Sequence, residues 1–156
     1  MHLTLGPRIV SSSSGADLRS IALDMGDKRI GIAVSDSDGL LAVPSRVFHR
    51  SGDKLADFRK LAKELNEYQA TTIVVGLPLS LSGEIGPKAR MVLEEIDLLR
   101  EELPDLVVVT HDERMTTLSA SRALFATGRS SKSLRRVVDA SSATIILQSW
   151  LDANRN

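Results

Sequence analysis

The sequence predicts a single α/β domain built on a mixed β-sheet that is flanked by helices. The chain has 156 residues, a common size for one domain. Its apolar segments come first as consecutive strands and then as strands that alternate with helices. Consecutive strands pair as antiparallel neighbours, whereas a strand–helix–strand unit brings its strands together in parallel. The sheet is therefore expected to contain both kinds of pairing.

The first three predicted strands form an antiparallel meander. Residues 20–24 and Arg29–Ser35 are short apolar segments, and the connection between them, which contains Gly26, is short enough for a hairpin. A third strand is predicted over Ala42–His49. Because Pro44 has no backbone N–H to give to a neighbouring strand, this strand is expected at an edge of the sheet.

Two helices and two buried strands follow in alternation. Apolar residues recur at three- and four-residue steps over residues 54–68, which predicts an amphipathic helix. Residues 71–76 and 106–110 are continuous apolar, β-branched segments typical of buried strands. Pro87 favours the first turn of a helix, so the second helix is expected to begin there.

The C-terminal third of the chain predicts two further helices with a basic loop between them. Thr116 or Thr117 is a candidate cap for a third helix that ends before Gly128. Residues 128–136 are polar and basic without apolar periodicity, which predicts a loop. The last helix is predicted over residues 137–151.

The composition excludes several classes of protein. Hydrophobic residues make up 42% and charged residues 26%, as in a globular protein with a packed core. The absence of cysteine excludes disulfides and thiolate metal sites. The formal net charge is zero, which argues against binding nucleic acid through bulk charge but leaves room for a local basic face.

The ends of the chain predict a cytoplasmic protein with no membrane partner. No apolar segment approaches the roughly 20 residues that span a bilayer. The N-terminus lacks the apolar centre of a signal peptide. Residues 1–18, which include a run of serines at 11–14, predict a flexible N-terminal extension, and residues 19–156 the single domain.

Two acidic residues stand at the ends of predicted strands. Asp24 ends the first strand, and Glu113 follows the fifth strand, where the crevices of open α/β sheets bind ligands. Asp112 beside Glu113 would point elsewhere if the backbone is still extended, because neighbouring strand residues alternate faces. Turn capping is the alternative role for Asp24, and a surface ion pair is the alternative for Asp112 or Glu113.

Asp139 is an acidic residue on the core-facing side of the last predicted helix. It shares one helical face with Ala143, Ile146 and Trp150, at steps of four, three and four residues. A carboxylate on such a face is costly unless it is paired or binds a metal, although a first-turn position would also favour a negative charge. If the three carboxylates converge, their oxygens suit two Mg²⁺ or Mn²⁺ ions about 4 Å apart that cleave a phosphodiester.

Four ordered segments of the chain resemble the motifs of the YqgF/RuvX family. Together they span about residues 21–152. They are LDMGDKRIGIAVSD at 23–36, VVGLPL at 74–79 with GEIGP at 83–87, DERMTT at 112–117, and VDASSA at 138–143 with ILQSWLD at 146–152.

The resemblance implies a ribonuclease H-like fold with sheet order 3-2-1-4-5 and an antiparallel second strand. It implies a divalent-metal-dependent nuclease, with Mg²⁺ or Mn²⁺, in 5′-end maturation of pre-16S rRNA, either free or in a ribosomal precursor. The family was also proposed to resolve Holliday junctions. The metal carboxylates map onto Asp24, Glu113 and Asp139.

Several cationic residues are candidates for contacts with substrate phosphates, with a solvated surface as the alternative. Two lie in the hairpin beside Asp24, one follows Glu113 and fits a carboxylate clamp equally well, and four lie in the basic segment before Asp139. They are Lys28 and Arg29, then Arg114, then Arg129, Lys132, Arg135 and Arg136.

Three other functions compete with the rRNA nuclease. A Holliday junction resolvase would use the same metal site as a two-fold dimer, so a monomer and a homodimer both stay open. ATP-binding proteins of the actin and sugar-kinase type also begin a phosphate hairpin with Asp-x-Gly, but they need two such lobes and this chain supplies one. A non-catalytic ribosome-associated module would have no need of the carboxylates.

Overall fold

The computed structural model describes the backbone of residues 19–116 and 131–155, and the side chains of residues 19–116 and 142–155. The predicted N-terminal extension at 1–18 lies outside the described residues. So does the predicted third helix beyond residue 116.

The sheet has five strands in the order β3-β2-β1-β4-β5. The pairs β1–β2 and β2–β3 are antiparallel, and the pairs β1–β4 and β4–β5 are parallel. The predicted mixed sheet, its order and its antiparallel second strand are therefore confirmed. The strands are β1 (Ser20–Met25), β2 (Arg29–Ser35), β3 (Ala42–His49), β4 (Thr72–Leu77) and β5 (Val107–Asp112).

The third strand lies at one edge, as Pro44 predicts. Pro44 pairs with Ala33, directly after a register shift between Ile32 and Ala33. A proline at an edge strand leaves no ladder hydrogen bond unmade on the open side, so β3 tolerates it.

In the described part of the chain, three helices cover the two faces of this sheet: α1 (Lys54–Asn66), α2 (Pro87–Glu102) and α3 (Ser131–Ala153). One apolar cluster packs α1 and α2 against one face and includes Leu23, Met25 and Ile96. A second cluster packs α3 against the other face through Ala143 and Ile146, among others. Alternate residues of β1 therefore enter different clusters, as the pleat requires.

Two predicted boundaries were wrong, one where β5 ends and one where α3 begins. The strand predicted to end at residue 110 continues to Asp112, because the ladder pairs Gly76 with His111 and Leu77 with Asp112. The last helix, predicted from residue 137, begins at Ser131, so the loop predicted over residues 128–136 is wrong from residue 131 onward. Residues 131–136 lack an apolar period, but lysine, leucine and arginine are good helix formers, so the helix extends beyond its core-facing stripe.

None of the described helices is long and apolar enough to cross a membrane.

Candidate functional site

Asp24 lies near the end of β1, on the face that α3 covers. It pairs with Gly31 of β2, and the Ser142 hydroxyl of α3 donates a hydrogen bond to its carboxylate. A Cβ atom at Gly31 would lie 3.7 Å from the Asp24 Cβ and 3.6 Å from the Ala143 Cβ. The small residues of α3 therefore let the helix lie close to the hairpin and hold the Asp24 side chain.

Glu113 opens a helical turn over residues 113–116 that begins where β5 ends. Its side chain lies over Gly76 of β4. A Cβ atom at Gly76 would lie 2.7 Å from the Glu113 Oε2, 3.1 Å from its Cγ and 2.6 Å from the Cδ1 of Ile146. Glycine at this position thus provides the space that the glutamate and α3 occupy.

The two carboxylates share one partly buried site. Burial raises the pKa of Asp24, while the Ser142 hydrogen bond and the Lys88 charge oppose that shift. Burial also raises the pKa of Glu113, the negative charge of Asp24 raises it further, and Lys88 again opposes. Two neighbouring, partly buried carboxylates repel each other when both are ionised, and a bound cation would relieve that repulsion. Their hard oxygens fit Mg²⁺ or Mn²⁺.

Lys88 also belongs to this site, and no motif or periodicity in the sequence marks it. It is the second residue of α2, and its ammonium lies 3.5 Å from the Asp27 Oδ1 of the hairpin. Its charge acts on both Asp24 and Glu113. The one sequence signal was its position directly after Pro87, which sets where α2 begins.

Asp112 and Arg114 form a separate ion pair beside the site. The Arg114 Nε lies 3.1 and 3.0 Å from the two Asp112 carboxylate oxygens, and its Nη2 lies 2.6 Å from Oδ2. The Arg114 Nη1 also donates to the Leu81 carbonyl at 3.3 Å. Hydrogen bonds from Arg114 are the main cause of the lowered pKa of Asp112. Arg114 therefore clamps a carboxylate and the loop after β4, and its contact with nucleic acid stays a prediction.

The helical turn after β5 begins at Glu113, so Thr116 lies within the turn and does not cap its start. The Arg114 backbone N–H donates to the Asp112 Oδ1 at 2.9 Å, so Asp112 satisfies a free donor at the start of the turn. The Thr116 hydroxyl instead donates to the Glu113 carbonyl at 2.7 Å. Thr117 lies outside the described residues.

The hairpin presents Lys28 and Arg29 as exposed residues next to β1. The turn is tight: the Gly26 N–H donates to the Asp24 carbonyl at 3.0 Å, and a Cβ at Gly26 would lie 2.5 Å from the Arg29 carbonyl oxygen. A glycine is needed for that close approach. The hairpin thus places both cations at the end of β1 that carries Asp24.

Asp139 lies in α3, on the same helical face as Ser142 and Ala143 and one turn earlier. Its side chain lies outside the described residues, so the convergence of three carboxylates stays a prediction. Among the side chains of residues 19–116 and 142–155, no three acidic or histidine groups form a metal cluster. The remaining cationic candidates, Arg129, Lys132, Arg135 and Arg136, also have side chains outside this description.

The sheet and the site define a class of protein: the strand order β3-β2-β1-β4-β5, with acidic residues at the ends of β1 and β5, is that of a ribonuclease H-like domain. Residues 18–153 match the family described as "RuvX: Holliday junction resolvase", and the chain belongs to that family.

Relatives agree with this membership, and a solved structure has the same fold. A protein of Rhodococcus opacus described as "Putative pre-16S rRNA nuclease" is 42% identical over 97% of this chain and 86% of the relative. A protein of Nocardia farcinica with the same description is 40% identical over 86% of this chain and 77% of the relative. The structure of T. thermophilus RuvC with a Holliday junction substrate has a TM-score of 0.59 at 14% identity, covering 87% of this chain and 94% of RuvC. That likeness shows the shared fold.

Proposed function

We propose that this chain is a divalent-metal-dependent endonuclease that hydrolyses phosphodiester bonds in the 5′-end maturation of pre-16S rRNA. The observation that carries the proposal is the proximity of Asp24, near the end of β1, to Glu113, directly after β5, in a site where burial raises both pKa values and the charge of Asp24 raises that of Glu113 further. The descriptions of the relatives, which align over most of this chain, support the rRNA substrate.

The proposed metal ligands are Asp24, Glu113 and Asp139. Together they would bind two Mg²⁺ or Mn²⁺ ions. Such ions lower the pKa of an attacking water and stabilise the departing oxygen of a phosphodiester. The protein's own residues prepare the site: Ser142 orients the Asp24 carboxylate, and Gly76 leaves space for Glu113.

Cations around the site would hold the strand to be cut. Lys28 and Arg29 are exposed on the hairpin that follows Asp24, and the charge of Lys88, at the start of α2, acts on both carboxylates. Phosphate contacts of this kind fix the position of a strand without reading its sequence. The basic segment with Arg129, Lys132, Arg135 and Arg136 is proposed to extend this contact, with Arg114 as a further candidate.

The experiment is cleavage of a short RNA that carries the 5′ precursor sequence of 16S rRNA, in Mn²⁺, beside a matched DNA four-way junction. Asp24→Asn should lower the rate of RNA cleavage by about a hundredfold or more, because metal-assisted stabilisation is worth several kcal/mol. Asp97→Asn makes the same substitution at an exposed position of α2 and should retain the activity.

The substrate that is cut decides between two functions. Cleavage of the junction alone would move the assignment to a Holliday junction resolvase, which the family description favours. That activity would require a symmetric dimer, detectable as a dimer in solution on the junction. Cleavage of neither substrate would contradict the nuclease and favour a non-catalytic ribosome-associated module.

A further inference from the structure

A cavity of about 440 Å³ lies on the face of the sheet opposite α3, near the end of β1 that carries Asp24. It is bounded by the β1–β2 hairpin, the segment after β3 and the helix α2. Ligand pockets have volumes of about 300–1,000 Å³, so this cavity is large enough for a small organic group.

The floor of the cavity is apolar. Met25 and Val92 line it and are 5% and 3% exposed, and Met91 lines it nearer the mouth at 40% exposure. Methionine side chains are flexible and polarisable and adapt to flat rings of different shape. The floor therefore suits a planar, apolar face such as that of a nucleobase.

The rim of the cavity is cationic. Lys28, Lys54 and Lys88 line it, and the side chains of Lys54 and Lys88 are 44% and 54% exposed. Two of these lysines are also paired: the Lys54 Nζ lies 3.2 Å from the Glu95 Oε2, and the Lys88 Nζ lies 3.5 Å from the Oδ1 of Asp27, which also lines the cavity. With Arg50 included, four cationic and three acidic side chains line the cavity, so a small net positive charge remains for a phosphate.

The two buried acidic groups on the walls are already engaged. Glu95 accepts two hydrogen bonds from the Arg50 guanidinium, at 2.8 and 2.9 Å. Asp57 accepts from the Ser51 hydroxyl at 2.8 Å and from its N–H at 2.9 Å. The Glu95 charge is balanced by Arg50 and Lys54, and the Asp57 carboxylate is hydrogen-bonded and lies within the field of Arg50, so both oppose an entering anion less than free carboxylates would.

Lys88 connects the cavity with the carboxylates. Asp24 and Met25 are neighbours in β1, so their side chains lie on opposite faces of the sheet, one at the carboxylate site and one on the cavity floor. Lys88 lines the cavity, and its charge also acts on Asp24 and Glu113. A strand held by Lys88 can therefore reach both sides of the sheet edge.

We propose that this cavity, the hairpin cavity, binds one unstacked nucleotide of the substrate strand, next to the phosphodiester that is cut at the proposed metal site of Asp24 and Glu113. The base lies on Met25, Met91 and Val92, and its phosphate lies at the lysine rim. This inference rests on the proposed function and narrows its substrate to a strand that is unpaired at the cut. A base in a duplex is stacked on both sides and cannot enter without being extruded.

The test measures the binding of a labelled single-stranded RNA by fluorescence anisotropy, in EDTA, so that binding is separated from cleavage. Met91→Glu places a negative charge at the mouth of the cavity and should weaken binding about tenfold or more through like-charge repulsion. Lys54→Gln should lower the slope of log affinity against log salt by about 0.7, the value for one phosphate contact on a single strand.

Lys63→Gln is the matched control, because Lys63 is an exposed lysine at the far end of α1 from Lys54. It should leave both affinity and salt slope unchanged. Duplex RNA of the same sequence should bind wild type and Met91→Glu alike. Circular dichroism melts of each variant establish whether the fold is retained. Met91→Glu and Lys54→Gln act through different chemistry, so either variant alone tests the proposal if the other is unstable.

Wild-type affinity in both cavity variants would overturn the inference. So would a free mononucleotide that shifts the Gly52 amide resonance while Met91→Glu leaves RNA affinity unchanged, because the cavity would then be a small-molecule site. The proposed nuclease is tested separately by Mn²⁺-dependent cleavage with the wild-type protein. If the protein cleaves RNA and Met91→Glu leaves its KM unchanged, only the proposed role of the hairpin cavity is contradicted. If Met91→Glu weakens RNA binding but the wild type does not cleave RNA, only the proposed nuclease activity is contradicted.

Discussion

At the scale of single residues, the site depends on a position that has no side chain. Gly76 lies beneath Glu113 and Ile146, and a Cβ there would approach both within 2.7 Å. Contacts that short force the neighbouring atoms to move. The position of Glu113 is therefore set by the absence of a side chain on β4 as much as by its own backbone.

We expect Gly76→Ala to displace Glu113 and to lower nuclease activity by about a hundredfold, since misplacement of a catalytic group by about 1 Å can cost that much. Overpacking should also destabilise the fold by about 1–3 kcal/mol. Gly31→Ala is the control, because its Cβ would meet neighbours at 3.6 and 3.7 Å, which are ordinary contacts. Equal activity of the two variants in the cleavage assay would show that Glu113 tolerates the displacement.

The raised pKa of Asp24 makes a prediction about stability. Its pKa is higher in the folded protein than in the unfolded chain, so the folded state binds more protons, and its stability falls as pH rises from the unfolded to the folded value. At pH 7, without metal, the ionised Asp24 carboxylate therefore lowers the free energy of unfolding. Asp24→Asn should raise the Tm in EDTA at pH 7, and this gain should vanish at about pH 3, below the usual aspartate value of about 3.9.

Differential scanning calorimetry of the wild type, Asp24→Asn and the surface control Asp97→Asn would measure this effect. Saturating Mg²⁺ should raise the Tm of the wild type and leave that of Asp24→Asn nearly unchanged, because binding to the folded state stabilises it. A lower Tm for Asp24→Asn at pH 7 would mean that the Ser142 hydrogen bond outweighs the cost of burial.

The sequence selects candidate residues that stand at strand ends, and it misses Lys88, whose position depends on tertiary contact. Asp24 and Glu113 can be recognised in the sequence as candidate site residues because each stands where an apolar segment ends. The choice between Asp112 and Glu113 stayed open because it depends on where β5 ends, and the apolar pattern stops two residues early. The charge of Lys88 acts on both carboxylates only because α2 begins beside the hairpin, which no local pattern encodes.

At the scale of elements, a buried ion pair joins the three segments around the hairpin cavity. Arg50, after β3, makes two hydrogen bonds to Glu95 of α2, and its Nε donates to the Gly26 carbonyl of the hairpin at 2.9 Å. The side chains of Arg50 and Glu95 are 13% and 2% exposed. This pair fixes α2, and with it Lys88, relative to the strand that carries Asp24.

We expect Glu95→Gln to destabilise the protein by about 3–5 kcal/mol, because removing one partner leaves a buried charge uncompensated. Glu94→Gln is the matched control: the neighbouring glutamate is exposed, and its loss should change the free energy of unfolding by less than about 0.5 kcal/mol. Urea unfolding of both variants measures the difference. A loss for Glu95→Gln as small as that of the control would mean that Lys54 and solvent compensate the Arg50 charge.

Element boundaries were predictable where the signal was local. The bounds of β2 and β3 agree with the prediction, because turn residues flank both strands. The bounds of β5 and α3 were wrong because ladder pairing with β4 and intrinsic helix propensity extend these elements beyond their apolar residues. Apolar periodicity reports which face is buried, and only indirectly where an element stops.

At the scale of the whole molecule, charge balance restricts how the protein can bind nucleic acid. The chain has 20 basic and 20 acidic residues, so no long-range field of one sign draws it to a polyanion. Affinity must come from cations gathered at particular places. The hairpin and the segment before Asp139 are the two such places that the sequence offers, and both adjoin the predicted carboxylates in the chain.

The double substitution of Arg135 and Arg136 by glutamine tests the second of these places. If each side chain contacts one phosphate of a single strand, the slope of log affinity against log salt should fall by roughly 1.4, at about 0.7 for each contact. The double substitution of Arg59 and Lys63 on α1 removes the same charge from exposed positions and should leave the slope unchanged. Because the net charge of the two variants is identical, equal slopes would mean that the basic segment does not contact the strand, and a difference confined to the first variant would place the strand along α3 beside Asp139.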